Sequence, residues 1–322
     1  MVTLTIRDVP DDILKSVDAA ARVAQIRSRE AFLRKHLNEV YGPEGSVAAA
    51  TAQRLRKIMQ TAAGLGERGW LDPAPTISLV ARALGHRDAS AFESELRGER
   101  ALTFGDGDGF CALFGVERSW LESGVGNPFE ASALFRDGHD VLAHFLTRGI
   151  EYDELCFVLA DAPDVGAAIV GVRSAPHPLS PDGAWRYNIL ADLIPIHDHV
   201  GGTGRANRRE FADLMVALYD NELFTEQTAM HGRIVNEAQY MALVSGGIHA
   251  AEIVGDRSLG SHWHEDFWQM ERQDVYTKNY GMARDALREE LLREKIQSTD
   301  QYHNHVRKLC EQIRGDLDRI EP

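Results

Sequence analysis

Thr3, Thr5 and Arg7 stand two residues apart near the amino terminus and alternate with Val2, Leu4 and Ile6. A period of two puts two hydroxyls and a guanidinium on one face of a strand and three aliphatic side chains on the other. Arginine offers a fork of donors that matches guanine, and a threonine hydroxyl pairs with several base edges, so the chemistry of this face is base reading in the DNA major groove. Other chemically able groups lie further along. His197, Asp198 and His199, with His262, His264, Glu265 and Asp266, supply enough donors for a metal but no diagnostic spacing. Trp268 stands where a two-histidine protease helix would need its second imidazole. Gly201-Gly202-Thr203-Gly204-Arg205 follows an apolar stretch and precedes a helical one, as phosphate loops do. It lacks the Walker ending and the dinucleotide glycine spacing, so a flexible turn is expected. No Ser/Lys spacing argues for self-cleavage. No catalytic residue, resident metal or cofactor is assigned.

A lone amino-terminal strand has no neighbour in its own chain, and an unpaired edge is costly. Pairing with the same strand of a second copy would give a two-stranded ribbon. Pro10-Asp11-Asp12 then starts a helix, with Asp11 as its cap and Ile13, Leu14, Val17, Ala20, Ala21 and Ala24 at helical spacing. Ser28 caps a second helix with Phe32, Leu33, Leu37 and Val40 inside, ended by Gly42-Pro43. About forty residues bury too little surface alone, so dimerisation is expected. Thr3-Leu4-Thr5-Ile6-Arg7-Asp8-Val9-Pro10-Asp11 resembles the ribbon-helix-helix family, and within it the FitA-like antitoxins. The resemblance implies base contacts by Thr3, Thr5 and Arg7 and a phosphate contact by Ser28. Gln25-Ile26-Arg27 departs from it where the interhelical turn usually carries a glycine.

After a linker at residues 42–46, helices are predicted over residues 47–64, from Thr76 to Gly85, and from Asp88 onward, with a further one containing Phe110, Leu113 and Phe114. Val80-Ala81-Arg82-Ala83-Leu84-Gly85, Phe92 to Gly98, and the closing Val116…Trp120-Leu121…Gly124-Val125-Gly126-Asn127-Pro128-Phe129 resemble a lambda-repressor-like helix-turn-helix domain. That resemblance implies a groove-facing helix over residues 88–96, with Ser90, Ala91 and Ser94 beside bases and Arg87, Arg97 and Arg100 at phosphates. Two carboxylates on the same helix, Glu93 and Glu95, are expected to face the phosphates and oppose binding. Asp106-Gly107-Asp108-Gly109 opens like a calcium loop but lacks the spaced ligands and closing Glu, and a Gly/Asp turn is expected there.

Beyond residue 130 the pattern is mixed α/β. Strands are expected at residues 155–159 and 167–172 with a turn at 161–164, a proline-rich loop over 174–183, and an apolar stretch within 185–200. A helix capped by Asn207 is expected over 208–219, one or two strands over 239–254, and mostly helix over 280–320. Trp185, Tyr187, Trp263, Phe267 and Trp268 suit either a ligand pocket or a core.

The chain has 322 residues and a formal net charge of −14. Residues 1–45 hold seven basic and seven acidic side chains, 46–129 nine and ten, and 130–322 nineteen and thirty-two. The acidity therefore lies in the last part, which phosphate repels. Three widely separated cysteines, no apolar run of membrane-spanning length and no signal-peptide layout predict a cytoplasmic protein without a membrane partner. The expectation is a multidomain α+β chain: a ribbon-helix-helix dimer (1–42), an all-α helix-turn-helix-like module (47–129) and an acidic mixed α/β domain (130–322). It would be a non-enzymatic DNA-binding regulator, a repressor in sense, acting as a homodimer or higher oligomer on double-stranded DNA, with a small-molecule effector or a toxin as further partner. An antitoxin repressing its own promoter, and an enzyme or metal protein built on residues 130–322, are the alternatives.

Overall fold

A computed structural model describes residues 47–64, 71, 74–162, 166–193, 201–220, 223, 228–267, 278–317 and 319. The expected ribbon and its helices, with Thr3, Thr5, Arg7 and Ser28, lie outside the described residues, as do His197 and His199. The fold is mixed α/β. Among the described residues, no helix is long and apolar enough to cross a membrane.

Among the described residues, five helices come first: α1 (Val47–Gly64), α2 (Ile77–Ala83), α3 (Ser90–Arg97), α4 (Phe104–Phe114) and α5 (Arg118–Ser123). Local chemistry sets their limits. The Thr76 hydroxyl accepts from the Leu79 amide at the start of α2, and Thr103 does the same for Asp106 at the start of α4. The Asp88 carboxylate accepts from the Ser90 amide at 2.9 Å and so opens α3. Gly98, Gly115 and Gly124 end α3, α4 and α5 in the left-handed region. Leu55, Ile58, Val80, Phe92, Phe110, Phe114 and Leu121 are fully buried between these helices. The Phe110 and Phe114 rings lie 4.5 Å apart. Ile77, in the first turn of α2, is exposed. The Gly/Asp turn expected at residues 106–109 is helical instead: these residues are the first turns of α4. Thr103 supplies the cap there, and Asp106 favours the positive helix end.

After α6 (Gly138–Arg148) comes a five-stranded sheet of β1 (Glu154–Ala160), β2 (Ala167–His177), β3 (Ser180–Leu193), β4 (Ala229–Val235) and β5 (Gly260–Ser261), in the order β3-β2-β1-β4-β5. β1 pairs antiparallel with β2 and parallel with β4, so the sheet is mixed. The parallel pair needs a crossover, and α7 (Gly201–Tyr219) provides its helix. Leu155, Phe157 and Leu159 of β1 pack on one face with α6, α7, α10 (Lys278–Arg293) and α11 (Thr299–Leu317). Cys156, Val158 and Ala160 pack on the other with α8 (Glu237–Ser245) and α9 (Ala250–Val254). A central strand buried on both faces carries an unbroken apolar run, and that is what residues 155–160 show.

Three expectations fail in this part. Residues 174–183 form not a loop but the end of β2 and the start of β3; Pro176 sits at a register shift between Ala175 and His177, where no ladder donor is required. Residues 239–254 are helices rather than strands. Asn236 and Gln239 cap α8 reciprocally, and His249 and Glu252 do so for α9. Residues 201–205 are neither phosphate loop nor turn but the first turn of α7, so Asn207 lies inside that helix rather than at its cap. The hairpin of residues 155–172 agrees with expectation.

The helical and sheet parts share packing. Leu179 and Ala184 at the β2–β3 tip and Ala251 of α9 belong to the same buried cluster as the helical core. Leu71 forms a β-bridge with Ala184, and the Phe129 amide donates to the Gly246 carbonyl at 3.0 Å. Gly246 has φ +78°, and a Cβ there would stand 1.9 Å from the Phe129 oxygen. Glycine is required on both counts.

Candidate nucleic-acid interface

α3 is short and two-sided. Phe92, Glu95 and Leu96 point into the module, whereas Ser90 and Arg97 are exposed and Ala91, Glu93 and Ser94 are half-buried. Ser90, Ser94 and Arg97 follow the i, i+4, i+7 rule and share the outward face. Arg97 is held in place: its guanidinium lies 3.0 Å from Glu99 and 3.9 Å from Glu93. Arg87 precedes the helix and is exposed, as is Arg100 after it.

Against the carboxyl end of α3 lies α1. The Arg56 guanidinium donates to the Leu96 carbonyl, one of the acceptors a helix end leaves unpaired. Gln53, Arg56, Lys57 and Gln60 are all exposed at i, i+3, i+4 and i+7, opposite the buried Leu55, Ile58 and Ala62. Lys57 stands over the Trp120 ring at 5.9 Å. A hollow of about 370 Å³ lies between Arg56, Met59, Gln60, Ile77, Glu93 and Arg97. A second, of about 400 Å³, runs on along Gln53, Arg54 and Lys57. The walls of both hollows are chiefly aliphatic, formed by Met59, Ile77, Leu96 and the stems of the longer side chains, with the amides and guanidinium groups at their rims.

One expectation about α3 is reversed. Glu95 does not face outward; it is 1% exposed and points toward His86 and Asp106. Burial, and then the Asp106 carboxylate, push its pKa up. Within α3 that leaves Glu93 to oppose a phosphate, joined by the exposed Asp88 before the helix and Glu99 after it. Sequence reasoning missed the α1 strip, although the spacing of Gln53, Arg56, Lys57 and Gln60 opposite an apolar stripe was the available signal.

The histidine pair at 262 and 264 does not converge. The His262 side chain is 73% exposed and pairs with Glu265 at 2.8 Å. His264 is fully buried and stacks on Phe157, with ring centroids 4.9 Å apart. Of the aromatics that suited a pocket, Trp263 and Phe267 belong to the core under α7, where Trp263 stacks on Phe211 and donates to the Phe157 carbonyl. Trp268 lies outside the described residues. Trp185 and Tyr187 do line a cleft of about 350 Å³ between α4, β3 and the α8–α9 link. His249 lies within it, between the rings of Phe129 and Tyr187. Its Nδ1 accepts from the Ala251 amide, and burial drives its pKa down to about 3, so the imidazole is neutral.

Comparison with known protein families, curated proteins and solved structures finds no match to this chain.

Proposed function

We propose that this chain is a sequence-specific DNA-binding regulator, a repressor in sense, that works as a homo-oligomer. The observation that carries the proposal is the outward face of α3. Ser90, Ser94 and Arg97 lie along it, the exposed Gln53, Arg56, Lys57 and Gln60 of α1 flank it, and the buried Glu95 carboxylate is turned away. Hydroxyls and amides suit base edges, whereas Arg56, Lys57, Arg87 and Arg97 suit phosphates. In this reading Thr3, Thr5, Arg7 and Ser28 of an amino-terminal ribbon provide a second set of contacts, and two-fold symmetry calls for a palindromic or repeated operator. The cleft beside His249 spans the helical and sheet parts. A small effector bound there, against the aromatic rings and the polar Glu130, His177 and Asn188, would touch α4 and β3 at once, which is how ligand binding would reach the DNA-facing helices.

Selection from a random duplex pool by the full-length chain, followed by mobility shifts on the selected sequence, tests the proposal. One preferred sequence is the expected result, and recovery of none would overturn it. The double variant Arg56→Ala/Arg97→Ala separates the surfaces. Loss of affinity assigns contact to α1 and α3, whereas unchanged affinity combined with loss in Arg7→Ala would place all recognition in the ribbon.

A further inference from the structure

His86 lies in the turn between α2 and α3, Glu95 on the inner face of α3, and Asp106 in the first turn of α4. One nitrogen and two carboxylate oxygens from these three side chains lie within 4.8 Å of one another. The His86 Nε2 stands 3.2 Å from an Asp106 oxygen. Among the described residues no donor lies within hydrogen-bond distance of either Glu95 oxygen, and both are shut off from solvent, as is His86 Nε2; the Glu95 carboxyl faces that of Asp106 closely enough for the two to share a proton. The Arg100 guanidinium approaches Glu95 only to 3.7 Å, beyond hydrogen-bond reach. Asp106 is oriented by Thr103, whose hydroxyl donates to its other oxygen at 2.6 Å.

A carboxylate buried without a hydrogen bond is expensive, and two carboxylates facing one imidazole are more so. A divalent cation held by the three side chains would give the Glu95 and Asp106 carboxylates a common partner, which the Arg100 guanidinium, 3.7 Å from Glu95, replaces only in part. We infer that His86, Glu95 and Asp106 form a binding site for a divalent transition-metal ion, which ties the α2–α3 turn to α4. The imidazole argues against magnesium and calcium, which take oxygen ligands. One nitrogen with two oxygens suits zinc, or in its place cobalt or manganese, with water completing the shell. The His86 and Asp106 side chains are 16% and 12% exposed, so a small shift of these two would admit the ion to the closed ligand atoms, while Glu95 forms the floor. The site is independent of the nucleic-acid reading and holds or fails without it.

The test is equilibrium dialysis of the full-length, tag-free chain against zinc, followed by metal analysis and thermal unfolding. One zinc per chain is expected, bound in the presence of millimolar magnesium, with a thermal midpoint that rises on loading. His86→Ala should weaken binding at least ~100-fold, as loss of a direct ligand exceeds the cost of losing a supporting group. Glu95→Gln keeps the shape of the side chain and removes its charge; it should stay folded, lose zinc to the same degree and show no zinc-dependent rise in midpoint. His262→Ala, at the exposed His262–Glu265 pair, should bind as the parent does. No uptake by the parent chain, equally tight binding by Glu95→Gln and His86→Ala, or loss of zinc in His262→Ala alone would each overturn the assignment.

Discussion

At the residue scale, the costliest groups are charges inside the fold, and Asp213 shows how they are held. It is buried in α7 among Phe211, Leu214 and Met215. One carboxylate oxygen accepts from the Tyr302 hydroxyl at 2.8 Å and Arg209 Nε at 3.0 Å; the other lies 3.0 Å from the His139 ring. Three elements, α6, α7 and α11, thus meet on one side chain. Asp213→Asn keeps the volume but removes the charge that three donors meet; the half-buried Arg209 retains Glu294 at 3.0 Å, so the weakened buried contacts should cost about 1–3 kcal/mol. Chemical denaturation of the variant should register that loss. His139 makes the same contact sensitive to pH. Burial works to lower its pKa, but the hydrogen bond and charge of Asp213, aided by Glu210 and Asp137, outweigh burial and raise it. A raised folded-state pKa gives stability that is fully present below the ordinary imidazole value of 6.5 and is lost as pH climbs through the folded value. The difference in thermal midpoint between the parent chain and His139→Gln should therefore be larger at pH 6 than at pH 9. Equal differences would show that the ring acts through packing alone. The ring is partly open to solvent, so its effect is smaller than that of Asp213.

At the element scale, the sequence announced some structures and hid others, for physical reasons. β1 and the start of β2 were readable because a strand buried on both faces is a continuous apolar run bounded by Asp161 and Pro163. α1 was readable from its stripe of Leu55, Ile58 and Ala62. The helices α8 and α9 were misread as strands because Val244, Ile248, Ile253 and Val254 look strand-like, while the decisive signals were side-chain caps. Asn236 with Gln239 is a standard capping pair in hindsight. His249 is not a usual cap, and only the folded structure shows its ring accepting the Ala251 amide. Asn236→Ala should cost about 1 kcal/mol of stability, the usual effect of removing a cap, and speed amide exchange at the start of α8 first. The candidate DNA surface was half legible. Ser90, Ser94 and Arg97 do share the outward face, but Glu95 was assigned to solvent because a charged residue on a short helix normally goes there. His86 and Asp106, which gather around it, lie nine residues before and eleven residues after it in the chain, and no local spacing rule links the three.

At the scale of the whole molecule, the helical part and the sheet are joined by a shared core rather than a tether. Leu179 at the β2–β3 tip is 1% exposed and lies in the cluster that contains Phe110, Phe114 and Trp120. The His177 ring, two residues earlier, contacts the Leu113 carbonyl at 2.8 Å, and Asn127 donates to the Ser245 carbonyl at 2.7 Å from the other side. Two parts held in this way should open together. Leu179→Ala removes a buried side chain at the joint and should cost about 2–5 kcal/mol. In a molecule with one shared core, that loss must appear as faster amide exchange in α4 and α5 and in the β2–β3 hairpin alike. Faster exchange confined to the hairpin would mean that the helices stand on their own core. The outcome also bears on regulation, because the 350 Å³ cleft opens on this same joint, with Leu113 and Phe114 on one wall and Trp185 and Tyr187 on the other. A ligand can shift the helices proposed to face DNA only by preferring one arrangement of those two walls over another. If Leu179→Ala loosens both walls at once, it should also weaken any coupling between the cleft and α3 while leaving Ser90, Ser94 and Arg97 chemically intact. Measured on the selected duplex, that variant would lose its response to a cleft ligand before it lost affinity for DNA, whereas Arg56→Ala/Arg97→Ala would lose affinity first.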